Sequence, residues 1–436
     1  MRLYRGTFLD TPDDPFTGGV LRAEDDGGLL VDDDGTITAR GAFAALSSAD
    51  PSAEVVDLRG GLVLPGFVDT HVHYPQLRCI GALGMPLLEW LDRCALPEEA
   101  RLADPAYAGE LARAFVTALA NAGTTTALVF GAHYLEATEA LFAEADRLGL
   151  RVTSGLVVSD RDLRDDLHTT PARAYDDALT LAKRWHGVRR NRYAVTPRFA
   201  LSCTSDLLEA CAALLQDVPG TILNSHVNEN PAEIARVREL FPDSSSYVDT
   251  YARHGLLQPG SVLAHDVHPT DDELAVLAGA DVAVAHCPTS NMVLGSGLFP
   301  LRRHLEAGVR VALGSDVGAG TGLSLFKEGL QAYFVQQALG ADRVPLGSRH
   351  LLHLATTAGA AALDLASTVG CFGEQMAFDA IWLRPRSGAP LDILLRYADS
   401  PDDALAKAFA HATSADVAQV WVAGELVSAD QWRPPV

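Results

Sequence analysis

The most informative stretch of this sequence reads Pro65-Gly66-Phe67-Val68-Asp69-Thr70-His71-Val72-His73. It starts as an apolar run and ends with two histidines that are separated by one valine. In a β-strand, residues i and i+2 point to the same face. His71 and His73 can therefore aim at one point just past the end of the strand, where a divalent metal ion can bind. Two histidines at this spacing can also be ordinary surface or core residues. The residues that end the other strands therefore decide whether a metal site is present.

The middle of the chain alternates short apolar runs with longer helical patterns, which is typical of a parallel α/β core. The apolar runs cover residues 66–73, 124–130, 151–158, 193–200, 221–226, 261–265, 281–286 and 310–316. Helical patterns cover residues 107–122, 134–148, 172–185, 205–215, 231–240, 271–278 and 298–307. Eight strand units of this kind predict a (β/α)8 TIM-type barrel. An open doubly wound sheet is the alternative, but the sequence has no glycine-rich dinucleotide or phosphate loop to support it.

Both ends of the chain have short alternating β-type stretches. Asp34-Gly35 is a hairpin signal in the first of them. Neither end could bury much apolar surface alone, so we predict that the two fold together as one small β-domain. The predicted organisation is 1–62 for the N-terminal part of this β-domain, 63–375 for a metal-dependent (β/α)8 barrel, and 376–436 for the C-terminal part.

Composition narrows the possible partners. The chain has 436 residues and a net charge of −22, which argues against nucleic acid or an anionic membrane, because phosphate groups need a basic face. No apolar run approaches the ~20 residues that span a bilayer. The N-terminus lacks the apolar core of a signal peptide, and the six cysteines are scattered as in proteins of a reducing compartment. These features predict a cytoplasmic protein, and the charge balance fits a small neutral or cationic substrate best.

Several other predicted strands end in residues that bind metals or transfer protons: His226, His265, His286 and Asp316. In a barrel of this class the active-site residues lie at the carboxyl ends of the strands. Nitrogen and oxygen ligands without thiolate suit Zn²⁺ or Fe²⁺ at a catalytic site. We predict that the ligands are His71, His73, His226 and Asp316.

The remaining polar residues at these strand ends indicate metal-assisted hydrolysis. A bound metal lowers the pKa of water toward about 7. Glu229, which follows His226 closely, can take the water proton and deliver it to the substrate. We predict that Asp316 also accepts a hydrogen bond from this water and that His265 either orients the water or polarises the reacting carbon. The fourth strand and its end, residues 193–203, contain no lysine and no acidic residue to bridge two metals, so one metal ion per chain is expected.

Longer blocks around these residues carry a family resemblance. They include His73-Tyr74-Pro75-Gln76, Leu88-Glu89-Trp90-Leu91, Thr196-Pro197-Arg198-Phe199, His226-Val227-Asn228-Glu229-Asn230, Ala285-His286-Cys287-Pro288-Thr289-Ser290-Asn291 and Gly314-Ser315-Asp316-Val317-Gly318. From about residue 60 to residue 365 the chain resembles the guanine deaminases of the amidohydrolase superfamily. The histidine pair occurs throughout the superfamily, whereas His-Tyr-Pro-Gln and Pro-Arg-Phe are far more particular.

The resemblance implies Zn²⁺, a barrel with a flanking β-domain, a homodimer, and hydrolytic deamination of guanine to xanthine and ammonia in purine metabolism. It also implies that Gln76 and Arg198 bind the edges of the purine, with Arg198 on the carbonyl oxygen, and that Phe199 contacts the base. A planar polar ring needs fixed donors and acceptors at its edge, and such a site rejects analogues strongly. Trp90 is a candidate aromatic wall, or a core residue, and Arg198 could instead form only a salt bridge.

The sequence also departs from the family pattern and leaves alternatives open. Serine stands at position 315 where the family usually has threonine, and residues 131–134 and 370–379 differ from the usual pattern. Differences at residues 77–87 leave the heterocycle open, so 8-oxoguanine, a pterin, a cytosine-like base or an s-triazine is the alternative substrate. The alternative that is not an enzyme is a catalytically silent relative that acts as a binding protein. His133 and His286 are interpreted as structural or outer residues.

Overall fold

The computed structural model describes residues 1–427, and its strands form two sheets. The strands are β1 (Arg2–Asp10), β2 (Arg22–Val31), β3 (Ile37–Ala42), β4 (Glu54–Pro65), β5 (Phe67–His73), β6 (Thr124–Phe130), β7 (Arg151–Gly155), β8 (Val157–Val158), β9 (Arg192–Pro197), β10 (Ile222–Val227), β11 (Val262–His265), β12 (Ala283–His286), β13 (Arg310–Leu313), β14 (Ala380–Leu383), β15 (Val417–Val422) and β16 (Glu425–Val427).

Helices follow most of the strands of the second sheet. The α-helices are α1 (Phe43–Ala49), α2 (Leu87–Trp90), α3 (Leu96–Ala100), α4 (Pro105–Asn121), α5 (Leu135–Leu148), α6 (Pro171–Trp185), α7 (Ser205–Asp217), α8 (Pro231–Leu240), α9 (Tyr247–Arg253), α10 (Asp271–Gly279), α11 (Pro288–Val293), α12 (Leu301–Glu306), α13 (Leu325–Ala338), α14 (Ser348–Ala355), α15 (Thr357–Ala362), α16 (Pro390–Arg396) and α17 (Pro401–His411).

The second sheet is the predicted barrel. Its strands run β5, β6, β7, β9, β10, β11, β12 and β13 around the barrel, and every pairing is parallel. β8 extends the position of β7 and pairs with β9, so the single run predicted at 151–158 is divided at Leu156. The last strand meets the first through backbone bonds from His73 N to Val317 O and from Asp316 N to His71 O, both 2.8 Å long. The prediction of a (β/α)8 barrel is confirmed.

The two ends of the chain share the first sheet, as predicted. Its order is β16-β15-β14-β4-β1-β2-β3. β1 and β4 are parallel, and the remaining neighbours are antiparallel. The turn that contains Asp34-Gly35 joins β2 to β3, and the left-handed φ of 80° at Gly35 explains the glycine. β4 ends at Pro65 and β5 begins two residues later, so the terminal sheet leads directly into the barrel strand that carries His71 and His73.

The domain bounds 1–62, 63–375 and 376–436 stay a prediction. β4 crosses the first bound, since it pairs with β14 as far as Pro65, and residues 428–436 lie outside the described residues. The C-terminal segment also contains α16 and α17, which the β-type interpretation missed. α17 buries Leu405, Ala408 and Phe409, a helical spacing whose apolar face packs toward the barrel helices α13 and α14.

None of the helices between residues 1 and 427 is both long enough and apolar enough to cross a membrane.

The close packing of α15 on β5 gives a test of the fold. A Cβ added at Gly359 in α15 would lie 2.8 Å from Cβ of Val68 and 3.0 Å from its carbonyl oxygen. We expect Gly359→Ala to lower the free energy of unfolding by about 1–3 kcal/mol because β5 must shift. Gly109→Ala in α4 is the matched control, since its new Cβ meets nothing within 4 Å, and it should stabilise the protein by about 0.5–1 kcal/mol. Equal thermal unfolding midpoints for the two variants would contradict this packing.

Candidate active site

The four predicted metal ligands converge at the mouth of the barrel. Nε2 of His73 lies 3.2 Å from Nε2 of His71 and 3.2 Å from Nε2 of His226. Oδ1 of Asp316 lies 3.2 Å from Nε2 of both His71 and His73. Ligand atoms about 2.0–2.1 Å from a tetrahedral ion are about 3.3–3.4 Å apart. The donor set and its spacing therefore fit one divalent metal ion.

The protonation states of these residues also suit a cation. Burial lowers the pKa of His71 to about 3 and lowers the pKa values of His73 and His226, so the three imidazoles are neutral. Nδ1 of His226 donates to the backbone oxygen of Arg198 over 2.6 Å, which leaves the lone pair on Nε2 for a metal. Burial raises the pKa of Asp316, but its hydrogen bonds and electrostatic interactions with His71, His73 and His265 more than offset this effect and hold that pKa well below its usual value.

Asp69 ties two of the ligands together, and the sequence analysis missed it. Its carboxylate accepts from Ser315 N over 3.0 Å, from Ser315 Oγ over 2.5 Å and from His71 N over 3.2 Å. Asp69 thus connects β5 to the loop that carries Asp316. The family usually has threonine where Ser315 stands, and both side chains carry a hydroxyl group. The serine therefore keeps the hydrogen bond to Asp69. Asp69 lies two residues before His71 on the same strand face, a signal that could have found it.

Glu229 is held beside the metal ligands by its neighbours. Asn230 and Glu233 form the capping box that starts α8, and the side chain of Glu233 also accepts from Glu229 N over 3.2 Å. The Glu229 carboxylate accepts from Ser296 Oγ over 3.1 Å. Burial, together with the charge of Asp316, raises the pKa of Glu229 to about 8. A carboxyl group with a pKa near neutrality is suited to both accepting and donating a proton.

His265 joins Glu229 to Asp316. Its Nε2 lies 3.4 Å from Glu229 Oε2 and 3.8 Å from Asp316 Oδ2. On the other side of the ring, Nδ1 lies 3.0 Å from Oδ1 of Asn291, an acceptor that the sequence analysis did not identify as part of the site. The backbone is left-handed at His265 (φ 76°) and Asp316 (φ 45°). Residues other than glycine seldom adopt this conformation, and such strain clusters at functional sites.

A cavity opens beside the donor atoms. Every predicted site residue except His71 lines this cavity. These residues are His73, Gln76, Trp90, Arg198, Phe199, His226, Glu229, His265 and Asp316, and the apolar residues beside them are Leu87, Leu91, Leu294 and Ala319. The close approach of Gly318 fixes one wall, since its N lies 3.2 Å from Gln76 Oε1 and a Cβ there would lie 2.2 Å from Gln76 O. The cavity therefore places polar groups and aromatic rings next to the predicted metal ligands.

Arg198 forms the salt bridge that the sequence analysis left open, and it also lies at the cavity. It lines the cavity, and its guanidinium also forms a 2.7 Å ion pair with Glu99. Glu99 was missed by the sequence analysis, because a glutamate in a helical stretch gives no local signal. His133, which was interpreted as structural, donates to the same carboxylate over 3.1 Å. His286 stacks on Phe299 with ring centroids 4.2 Å apart, in agreement with an outer position.

Known proteins resemble this chain along nearly its whole length. Residues 62–427 match the model of the amidohydrolase family. A probable guanine deaminase of Deinococcus radiodurans is 57% identical over 434 residues, which cover 98% of this chain and 99% of that protein. The solved structure of the E. coli guanine deaminase has a TM-score of 0.94 at 35% identity, with 98% of this chain and 99% of that one covered. A guanine deaminase of C. acetobutylicum with bound guanine in its active site has a TM-score of 0.90 at 26% identity, with 98% and 100% covered.

The donor cluster predicts how metal affects stability. We expect the purified protein to contain about one divalent ion per chain, and chelation to lower its thermal unfolding midpoint, because an ion that binds only the folded state stabilises it. His226→Asn should lose most of the metal and the sensitivity to chelator. His254→Asn is the control, since His254 bonds to Thr250 O outside the cluster. Elemental analysis by mass spectrometry measures the metal and identifies it, and full metal content in His226→Asn would contradict the ligand set.

Proposed function

Since the chain belongs to the amidohydrolase family, we propose that the barrel mouth is a metal-dependent hydrolase site and that its reaction is the deamination of guanine to xanthine and ammonia. The main support for guanine as the substrate is the set of residues that lines the cavity. Gln76, Arg198 and Phe199 line it together with three of the four proposed metal ligands. Two relatives that match nearly the whole chain are a probable guanine deaminase and the E. coli guanine deaminase. The structure of a third relative with bound guanine supports the same substrate class.

The metal that we propose is zinc, held by His71, His73, His226 and Asp316, with Fe²⁺ as the alternative. Three neutral imidazoles and one carboxylate are a donor set that both ions accept. When bound, the ion lowers the pKa of coordinated water so that it can attack at neutral pH.

Glu229 moves the protons of the reaction. Water oxygen forms a bond to C2 of guanine, the carbon that bears the exocyclic amine, and gives a tetrahedral centre. One water proton passes through Glu229 to the neighbouring ring nitrogen N3. The second passes to the exocyclic nitrogen, the C2–N bond breaks, and ammonia leaves while C2 becomes a carbonyl. The raised pKa of Glu229 suits this alternation, and His265, 3.4 Å away, orients the carboxyl group.

The substrate edge faces the polar wall of the cavity. The guanidinium of Arg198 is a fixed double donor for a purine carbonyl, and the amide of Gln76 offers both a donor and an acceptor. Phe199 and Trp90 supply apolar faces for a planar ring. Groups of this kind that are left unpaired by a wrong ligand make the site selective.

The assembly and the cellular context stay predictions. A homodimer, a cytoplasmic location and a place in purine metabolism follow from the resemblance and from composition. Light scattering of the purified protein would measure the first of these.

The substrate is tested by turnover. We expect the metal-loaded protein to release ammonia from guanine, with the change in ultraviolet absorbance of guanine becoming xanthine. We expect kcat/KM for guanine to exceed that for 8-oxoguanine, a pterin, cytosine or an s-triazine by about 100-fold or more, because the edge groups are left unpaired by the others. An equal or higher value for any of these compounds would overturn the assignment, and no turnover at all would favour a silent relative.

The proton shuttle is tested by Glu229→Gln. The amide keeps the shape of the side chain but cannot carry a proton, so we expect kcat to fall by about 10²–10⁴-fold while metal content stays unchanged. Glu239→Gln on the same stretch of chain is the control, since Glu239 is exposed and pairs only with Arg236 among the described contacts. Unchanged kcat in Glu229→Gln would remove Glu229 from the mechanism.

A further inference from the structure

Glu99 is a buried carboxylate that stands behind the substrate-binding groups. It lies in α3, is 4% exposed and does not line the cavity. Oε1 accepts from Gln76 Nε2 and from Arg198 Nη2, each over 2.7 Å. Oε2 accepts from His133 Nε2 over 3.1 Å and from Arg198 Nε over 3.4 Å. One side chain thus bonds to both of the groups proposed to bind the purine edge.

The contact with Arg198 has two physical consequences. The two guanidinium nitrogens face the two carboxylate oxygens, a fork-to-fork geometry that fixes the plane of the guanidinium. The carboxylate also cancels the charge of a guanidinium that is only 3% exposed, and a buried charge without a partner is costly. Burial raises the pKa of Glu99, but the charge of Arg198 and the bond from His133 more than offset it, and the pKa lies well below its usual value.

We propose that Glu99 is a positioning residue that sets the charge class of the ligand: it aims Arg198 and Gln76 at the purine edge and keeps the pocket selective for a neutral aminopurine over an anionic oxopurine. This inference rests on the proposed function, because it concerns the ligand of the same site. Glu99 makes no direct contact with the four proposed metal ligands among the hydrogen bonds and ion pairs of the described residues. Gln76 links the two sites, since its Nε2 also lies 3.3 Å from His73 Nδ1, so the metal content of each variant is measured beside its kinetics.

The chemistry of the reaction makes such selectivity useful. Deamination places a ring N–H between two carbonyl groups in xanthine, and an N–H of this imide type loses its proton more readily than those of guanine. An arginine without a charge partner would hold the resulting anion strongly. An arginine that is already paired with Glu99 offers the same hydrogen bonds without a net positive charge, and so it favours release of the ionised product.

Glu99→Gln tests this role, with Glu98→Gln as the matched control. Glu98 is the adjacent residue of α3, but it pairs with Arg101 and Tyr107, away from the cavity. In Glu99→Gln we expect KM for guanine to rise about tenfold or more, as expected when a hydrogen bond to a charged group is lost, while kcat falls less than about threefold. The inhibition constant of xanthine, measured at a slightly alkaline pH, should fall relative to KM for guanine by about tenfold.

The ratio of these two constants separates the proposal from a merely structural role. A loosened pocket would weaken guanine and xanthine alike and leave the ratio unchanged, and that result would overturn the charge argument. Kinetics equal to those of Glu98→Gln would overturn the positioning role. Failure of the wild-type protein to release ammonia from guanine would instead be a failure of the proposed function, so the two failures are distinguishable.

Glu99→Asp keeps the proposal testable if Glu99→Gln does not fold. Aspartate keeps the charge but withdraws the carboxylate by one methylene from Arg198 and Gln76. We expect KM for guanine to rise while the ratio of the xanthine inhibition constant to KM stays as in the wild-type protein. A lowered ratio in Glu99→Asp, or an unchanged KM, would contradict the inference.

Discussion

Three imidazole nitrogens and one carboxylate oxygen are brought together at the barrel mouth, where neighbouring donor atoms are 3.2 Å apart and shielded from water. Neutral imidazoles with their lone pairs turned toward one another have no favourable interaction of their own at that distance, so a shared cation resolves the arrangement. The barrel makes the convergence possible, because the carboxyl ends of its parallel strands meet at one face. Asp69 reinforces it by bonding to the backbone next to two of the ligands.

Buried carboxylates of the same chemistry have opposite protonation behaviour around this centre. Glu229 has a hydroxyl donor and a nearby anion, and burial raises its pKa to about 8. Glu99 and Asp316 are equally buried, yet their cationic or hydrogen-bonding partners hold both pKa values well below the usual range. The partners of each carboxylate, rather than its burial, therefore set the direction of its pKa shift. These directions suit the proposed roles of Glu229 in proton transfer, Glu99 in charge compensation and Asp316 in metal binding.

Much of this molecule could be predicted from local patterns. The apolar run at 124–130 and the helical pattern at 231–240 reappear as a strand and a helix with unchanged bounds, and His71 and His73 lie on one strand face, as their spacing predicts. The predictions of secondary structure differ from the structure where tertiary packing, and not the local pattern, determines the element. The run at 151–158 is divided into two strands, and α17 lies in a segment interpreted as β-type, because its apolar face is completed only by packing against α13 and α14.

The sequence by itself determined the strand–helix alternation and the metal-type residues at strand ends, because both depend on spacing along the chain. The roles of Gln76, Arg198 and Phe199 at the purine were predicted from short blocks that resemble a known family. Only the tertiary structure decided that Glu99 faces Arg198, Gln76 and His133, and that Ser296 and Asn291 reach Glu229 and His265. These partners are separated by up to 99 positions in the chain. A buried glutamate and an exposed one look alike in sequence, since only the folded environment determines which charges and donors surround a carboxylate.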